Sequence, residues 1–325
     1  MPEPASRRRG SDNSPYISEA FPRKELRRKA STGMSRKPIP AFTEKQEWLQ
    51  PIQEKGQALV KDAYRSMGPN ARSVKNALHG VWLGHPLHGA ITDVPIGSWT
   101  TAAVLDLLEC GGRSEYAAGA DAAVLVGLAG AVGSAATGLT DWSDTEGKYQ
   151  RLGALHGLLN VGAALLYTGS YIFRKANKRG AGRGLGFAGL GMVLASSYLG
   201  GELVYGHRIG VDHSVDRDDL PEEYTKVCNE SDLEEGKPSK GTVNGVEIFL
   251  LKKDGQIFAL GNICSHVGGP LSEGEVKNGT IECPWHGSQF CLTDGSVVSG
   301  PATSPQPKLQ VEVRNGEVLV RRQQR

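Results

Sequence analysis

The sequence predicts a multidomain chain: a four-transmembrane-helix bundle followed by a small all-β domain. Three observations predict it. Residues 90–108, 117–139, 152–173 and 184–205 form four apolar, Gly- and Ala-rich runs of roughly spanning length. From about residue 222 the pattern changes to short strand-like runs separated by DG, NG and Gly/Pro turns. Two Cys–His pairs, Cys264-x-His266 and Cys283-x-x-His286, fall inside that second part.

Charge divides the chain in the same way. Residues 1–80 carry 16 Lys/Arg against 8 Asp/Glu, residues 81–215 carry 9 against 10, and residues 216–325 carry 12 against 17. Residues 1–40 are rich in Arg, Ser, Pro and Lys and poor in large apolar side chains, so a disordered basic tail is expected. Such a tail is a solvated segment or an arm for anionic lipid headgroups. No apolar run follows Arg7-Arg8-Arg9 or Arg27-Arg28, so no export signal is expected.

Residues 41–84 read as short amphipathic helices. Thr43-x-x-Gln46 forms a capping-box pattern, Pro51 is an expected interruption, and Trp48, Leu49, Ile52, Leu59 and Val60 supply an apolar side. A second short helix is expected over about 71–82, ending near Gly84.

The membrane domain is expected over 85–206. The third run, LGALHGLLNVGAALLYTGSYIF, has no formal charge, whereas Asp93, Pro95 and Asp106 interrupt the first. A soluble bundle would show a polar face, and these runs show none. The second run places Gly119, Ala123, Gly127, Ala131 and Ala135 at four-residue spacing, a small-residue ridge that lets helices approach closely in lipid. Residues 207–221 read as a linker. In the domain over 222–325, VEIFLL, QIFALG, KLQVEV and EVLVRR are strand-like, and NGEV at 315–318 reads as a tight hairpin. Cys110, Cys228 and Cys291 show no framework spacing, so no structural disulfide is expected.

Thiolate and neutral imidazole are strong donors to borderline metal ions. A Cys2His2 set also suits zinc, but zinc fingers usually pair Cys with Cys and His with His. Here each loop supplies one of each, which suits two unlike irons. The pattern C-x-H, sixteen residues, C-x-x-H-G, with Gly268-Gly269-Pro270 after the first pair and a Gly300-Pro301 segment, resembles the Rieske family over roughly 222–322. The resemblance implies a [2Fe-2S] cluster with Cys264 and Cys283 on one iron and His266 and His286 on the other.

Two departures matter. Respiratory Rieske proteins carry an extra disulfide-bonded Cys in each loop, where this chain has Gly269 and Trp285. They also often have a Tyr that donates to a cysteine sulfur; here Ser288 is kept but the Tyr place is Phe290. Fewer hydrogen bonds to sulfur stabilise the reduced cluster less. The resemblance therefore implies the ferredoxin branch, in the lower part of the roughly −150 to +300 mV Rieske range. A Rieske oxygenase carries a second iron on two His and a carboxylate in a later domain. Only 39 residues follow His286, none of them His, so a terminal oxygenase is not expected.

The phrase WLGHPLHGAITDVPIGSW, with LHGLLN and GGELVYGHRIGV, resembles an uncharacterised bacterial family of four-span membrane proteins with an H-P-x-H motif, over about 78–212. With four spans, His85, His88, His156 and His207 all fall near the face from which the Rieske domain emerges. If helical, His85 and His88 share a side, as do His156 and Asn160. Two readings make these histidines functional: ligands of a b-type haem or second metal, or a quinone-type site. The third makes them caps for backbone and water.

The function expected is one-electron transfer at the membrane surface, between a donor reductase and a membrane or soluble acceptor. The alternatives are an iron-sulfur redox sensor controlling a membrane partner and a zinc-stabilised interaction module. The expected setting is a bacterial inner membrane, with the lipid bilayer as partner and no nucleic acid; the sequence sets no oligomeric state. Six basic residues flank the spans on each face, so charge does not orient the bundle. Cluster assembly in the cytoplasm and the missing export signal place the Rieske domain on the cytoplasmic side.

Overall fold

The computed structural model describes residues 46–323. The basic tail expected over 1–40, and Thr43 of the expected cap, lie outside the described residues.

The first described helix, α1 (Leu49–Ser66), takes Pro51 into its first turn, where a missing N–H breaks no helical bond, so Pro51 does not interrupt it. The apolar side expected of α1 is not its buried side. Leu49, Gln53 and Gln57 are buried, while Trp48, Ile52 and Leu59 are exposed. The reason is hydrogen-bond demand. The Gln57 amide donates to the carbonyls of Trp142 (2.7 Å) and Thr145 (3.1 Å), where another helix ends. The outward apolar side suits a helix lying in a membrane interface.

Next come α2 (Ala71–His79) and a 3-10 turn at Val81–Leu83, which together occupy the expected second helix. Gly80 stops α2 with φ +86°, and a Cβ there would meet the Leu87 backbone nitrogen at 2.7 Å. The bundle proper is α3 (Leu87–Ile91), α4 (Asp93–Cys110), α5 (Ala117–Ser143), α6 (Lys148–Lys175) and α7 (Arg179–Gly201).

Among the described residues three stretches are long and apolar enough to cross a membrane: Ser114–Ser143, Tyr149–Lys175 and Arg179–Gly206. Helix α4 is not one of them; its 18 residues include Asp93, Asp106 and Glu109. Three of the four expected spans therefore stand on length and composition, and the first does not. The middle of the small-residue ridge packs inward, where a Cβ on Gly127 would overlap the Trp99 indole of α4, while its ends at Gly119 and Ala135 are exposed; a Cβ on Gly119 would still touch Leu105 (3.2 Å). Trp99 in turn stacks on Tyr167 of α6, centroids 4.1 Å apart, at the centre of the bundle.

Buried charge explains the polar α4. Arg174 of α6 is fully buried and binds Asp106, with one bond at 2.8 Å, and also reaches Asp121 of α5 (3.4 Å). Arg179 of α7 adds Glu109 (2.7 Å) and Asp121 (3.0 Å). Four helices are thus tied at one end of the bundle by charges that apolar surroundings would reject unpaired.

Among the described residues the C-terminal domain has ten strands in three antiparallel sheets, ordered β1-β10-β9, β2-β3-β4 and β5-β6-β7-β8. The strands are β1 (Thr225–Asn229), β2 (Ser239–Val243), β3 (Val246–Lys253), β4 (Gln256–Gly261), β5 (Glu275–Lys277), β6 (Thr280–Glu282), β7 (Gln289–Cys291), β8 (Val297–Ser299), β9 (Leu309–Arg314) and β10 (Glu317–Arg322). Asn315 and Gly316 both have positive φ, so the expected hairpin joins β9 to β10. One core, around Ile248, Leu250, Val318 and Val320, forms the base. A second, around Phe249, Leu260, Ile281 and Phe290, includes Cys264 and Cys283 and supports the loops above it.

Candidate metal centre

Two loops carry the four candidate ligand residues, and they are built alike. In the first, after β4, Cys264 N donates to Gly269 O (2.8 Å) and Gly268 N to Cys264 O (2.9 Å). In the second, between β6 and β7, Cys283 N donates to Ser288 O (2.8 Å) and Gly287 N to Cys283 O (3.1 Å). Gly268 and Gly287 occupy the left-handed region at φ +84° and +72°, which explains glycine at both places. A turn with this hydrogen-bonding aims a thiol inward from its start and an imidazole outward from its tip.

The four side chains fall into two pairs. Cys264 and Cys283 are buried against the core, and their two thiols share a hydrogen-bonding interaction that shifts both. That bond pushes Cys264 up and, despite burial, pulls Cys283 down to about 7. His266 and His286 stand above them, ring centroids 4.9 Å apart and nearly perpendicular. Burial, then the neighbouring His286, holds the His266 pKa down to about 3, so His266 is a neutral donor at physiological pH. His266 Nδ1 is buried without a hydrogen-bond partner, as an atom made for a metal bond would be. Among the described residues no three His, Cys, Asp or Glu side chains converge as a single metal ion would need. An inner thiol pair and an outer imidazole pair fit a two-iron cluster better than one zinc ion.

Two further contacts lock the loops. Trp285 lies over Gly269, where a Cβ would sit 3.0 Å from the indole and 2.8 Å from Cys283 Sγ. A Trp–Gly contact thus links the two loops. Ser288 Oγ accepts from Ala302 N (3.0 Å) in the third loop, and Ser265 Oγ donates to Ser304 O (2.7 Å).

The profile of the Rieske [2Fe-2S] domain matches residues 223–313. The 3-phenylpropionate/cinnamic acid dioxygenase ferredoxin subunit of Photorhabdus laumondii is 36% identical over 95 residues, 29% of this chain and 90% of that protein. The chain belongs to the Rieske family. Ferredoxin CarAc of Metapseudomonas resinovorans is 35% identical to the Rieske domain over 98 residues, 30% of this chain and 92% of that one. Human apoptosis-inducing factor 3 is 35% identical over 29% of this chain, and the match spans only 16% of that protein's length. Among solved structures, the ferredoxin of carbazole 1,9a-dioxygenase from Nocardioides aromaticivorans shares 27% identity, covering 31% of this chain and 98% of that one, with a TM-score of 0.30. Residues 84–213 match a family described as predicted membrane protein, DUF2231.

The outer edge of the Rieske domain meets the helical domain. The Asn76 side chain of α2 donates to Val298 O (3.1 Å) and accepts from Gly300 N (3.0 Å). The His79 ring lies 3.2 Å from where a Gly300 Cβ would be, and Glu146 is 3.8 Å from His286 Nε2. From the linker, His213 N donates to Ser265 O (2.9 Å). Behind this edge His79 bonds Asp141 (2.7 Å) and faces Asp144 (3.0 Å), which binds Lys75 (2.7 Å). Burial works against His79, yet the two carboxylates outweigh it and raise its pKa; burial likewise opposes Asp144, but His79 and Lys75 lower it. Sequence reasoning missed Asn76, His79 and His213, which carry no motif. The one available signal was a His at the end of a short helix just before the H-P-x-H phrase.

Of the four membrane-side histidines, two come together. The rings of His88 and His156 are 6.3 Å apart between centroids and perpendicular. His85 is exposed, touches only its neighbour's carbonyl (Pro86 O, 3.4 Å) among hydrogen-bond acceptors, and lies outside α3. Pro86 caps α3 between His85 and His88, so these two do not share a helical side. His207 stacks obliquely on Tyr149 at 5.2 Å, in a different place from the pair.

Proposed function

We propose that this protein carries single electrons at a membrane through a [2Fe-2S] cluster held by Cys264, His266, Cys283 and His286. The observation that carries the reading is the pair of matching loops with thiols inside and imidazoles outside. When bound, the cluster supplies a one-electron couple. The chain's residues shield its sulfur side with the Phe290 core and present its imidazole side outward. Phe290 is fully buried and brings no hydroxyl to the sulfurs, which supports a potential low in the Rieske range.

By their names, the similar ferredoxin subunits serve dioxygenases. For this chain the proposed donor is a reductase, and the acceptor is a membrane or soluble oxidase or oxygenase. Helix α4 is the fourth membrane-embedded helix, its Asp106 neutralised by Arg174. The Rieske domain lies on the cytoplasmic side; cysteine labelling in intact cells and inverted vesicles tests this.

One observation favours the sensor reading as a second: the third loop is hydrogen-bonded to Asn76 of α2, and Glu146 stands 3.8 Å from His286 Nε2, so the chain's own helical domain lies next to the candidate cluster site. Low-temperature EPR with iron and sulfide analysis tests the main reading. A reduced mixed-ligand signal, lost in His266→Ala, supports it; a colourless protein holding zinc refutes it. Turnover between a reductase and an acceptor separates carriage from sensing.

A further inference from the structure

We infer that α1 is an interfacial anchor: its exposed apolar stripe, Trp48, Ile52, Leu59 and Ala63, lies in the surface lipid of the membrane that the bundle crosses. The inference rests on the membrane part of the proposed function and adds to it a lipid-binding surface outside the spanning helices.

The sides of α1 differ in kind. At about 100° per residue, Trp48, Ile52, Leu59 and Ala63 fall within about 60° of one another around the helix. All four are exposed, Leu59 at 72% and Trp48 at 54%. Beside this stripe come Leu49, Gln53, Gln57 and Tyr64, which face the bundle. The remaining side carries Glu54, Lys61 and Arg65, all exposed. The stripe is thus separate both from the packed side and from the charged side. In water it would forfeit the burial that a Trp, an Ile and a Leu each gain in apolar surroundings.

Level decides what covers the stripe. Tyr64 Oη shares a hydrogen bond with Thr140 Oγ1 (2.6 Å), Gln57 donates to Trp142 O (2.7 Å), and Gln150 donates to Gln57 Oε1 (2.9 Å). Thr140 and Trp142 belong to the last turn of the candidate span Ser114–Ser143, and Gln150 to the first turn of Tyr149–Lys175. Helix α1 therefore lies across the ends of two spans, within about one turn, or about 5 Å, of where each leaves the bilayer. Amphipathic helices bury their apolar sides at this depth, about 5–10 Å into the boundary between headgroups and acyl chains. Tryptophan favours the same zone. A protein partner at that level would have to displace lipid.

Charge defines the kind of lipid. Lys55, Lys61 and Arg65 are nearly balanced by Glu54 and Asp62, so apolar burial rather than attraction to anionic headgroups holds the helix, and a zwitterionic surface suffices. The anchor is also continuous with the domain junction. Helix α1 leads through residues 67–70 into α2, whose Asn76 holds the third loop of the Rieske domain.

The test reads tryptophan fluorescence from the full chain in phosphatidylcholine vesicles whose lipid carries bromine near the carbonyl end of its acyl chains. Trp48→Phe supplies the background of the other tryptophans. In that background Leu59→Trp reports the stripe, Lys61→Trp the charged side, and Leu165→Trp, at a position of α6 that is 68% exposed, a membrane span. The Leu59→Trp signal should lose most of its intensity to the brominated lipid and little to aqueous iodide, and the Lys61→Trp signal the reverse. The difference between wild type and Trp48→Phe should behave like Leu59→Trp. Every substituted position is exposed, and monodisperse elution in detergent with an unchanged circular dichroism spectrum reports that each variant is folded. Quenching of Leu59→Trp by iodide overturns the proposal, and so does shielding from both quenchers, which would mean that protein covers the stripe. Leu165→Trp, read with lipid brominated near the chain ends, keeps two failures apart. If it is quenched while Leu59→Trp is not, the anchor alone falls; if it is not quenched, the membrane reading falls and the anchor with it.

Discussion

Replacing Gly269 with alanine tests how the two loops are held together. The new Cβ would stand 2.8 Å from Cys283 Sγ and 3.0 Å from the Trp285 indole. Carbon and sulfur rest at about 3.5–4.0 Å, so the methyl intrudes by roughly 1 Å on a ligand atom. The Trp285 ring is about half exposed and can tilt away, but Cys283 is fixed by the core. Overpacking of this kind costs about 1–3 kcal/mol. If the cost falls on the cluster-bound state, the bleaching rate of the visible spectrum rises about 5- to 150-fold at equal temperature, since 1.4 kcal/mol is a factor of ten. The assay is absorbance decay in air, with EPR to follow the ligand set. Gly269→Ala protein with wild-type lifetime and spectrum would refute the claim that this contact links the two loops.

Other perturbations reach the remaining parts. Phe290→Tyr should raise the midpoint potential in voltammetry by restoring a donor to sulfur; an unchanged potential would show the hydroxyl does not reach it. Arg174→Met leaves Asp106 buried and unpaired, costing about 3–5 kcal/mol, and Asp106→Leu in the same chain should recover most of it in detergent melts. The domain junction should depend on pH through His79 and Asp144. The raised His79 pKa contributes stability at low pH that is lost as pH rises through the raised value. The depressed Asp144 pKa contributes stability at higher pH that is lost as pH falls through the depressed value. Exchange protection of residues 298–304 should therefore fade on the alkaline side of His79, and His79→Gln should abolish that fading.

The β domain was legible because its signals are local. Asn-Gly and Asp-Gly turns and period-two strands fall within a few residues of each other, and the candidate ligands sit at fixed offsets within single loops. The long apolar helices were legible for the same reason. What escaped depends on distant partners. The polar inner side of α1 is set by carbonyls at Trp142 and Thr145, more than eighty residues away. Asn76 finds its partners in the third loop, more than two hundred residues on. No periodicity announces such pairs. The separation of His85 from His88 was readable in principle, because Pro86 between them disfavours a continuous helix. Asp106 looked like an interruption because Arg174, its partner, comes 68 residues later.

The attachment of the third loop to α2, with Glu146 beside His286, turns access to that loop into a competition. A tethered surface acts as though present at millimolar concentration. A soluble protein seeking the same loop with micromolar affinity is outbid unless it loosens the Asn76 clamp or approaches from another side. Access to the third loop is therefore set by how often the Asn76 contact lets go.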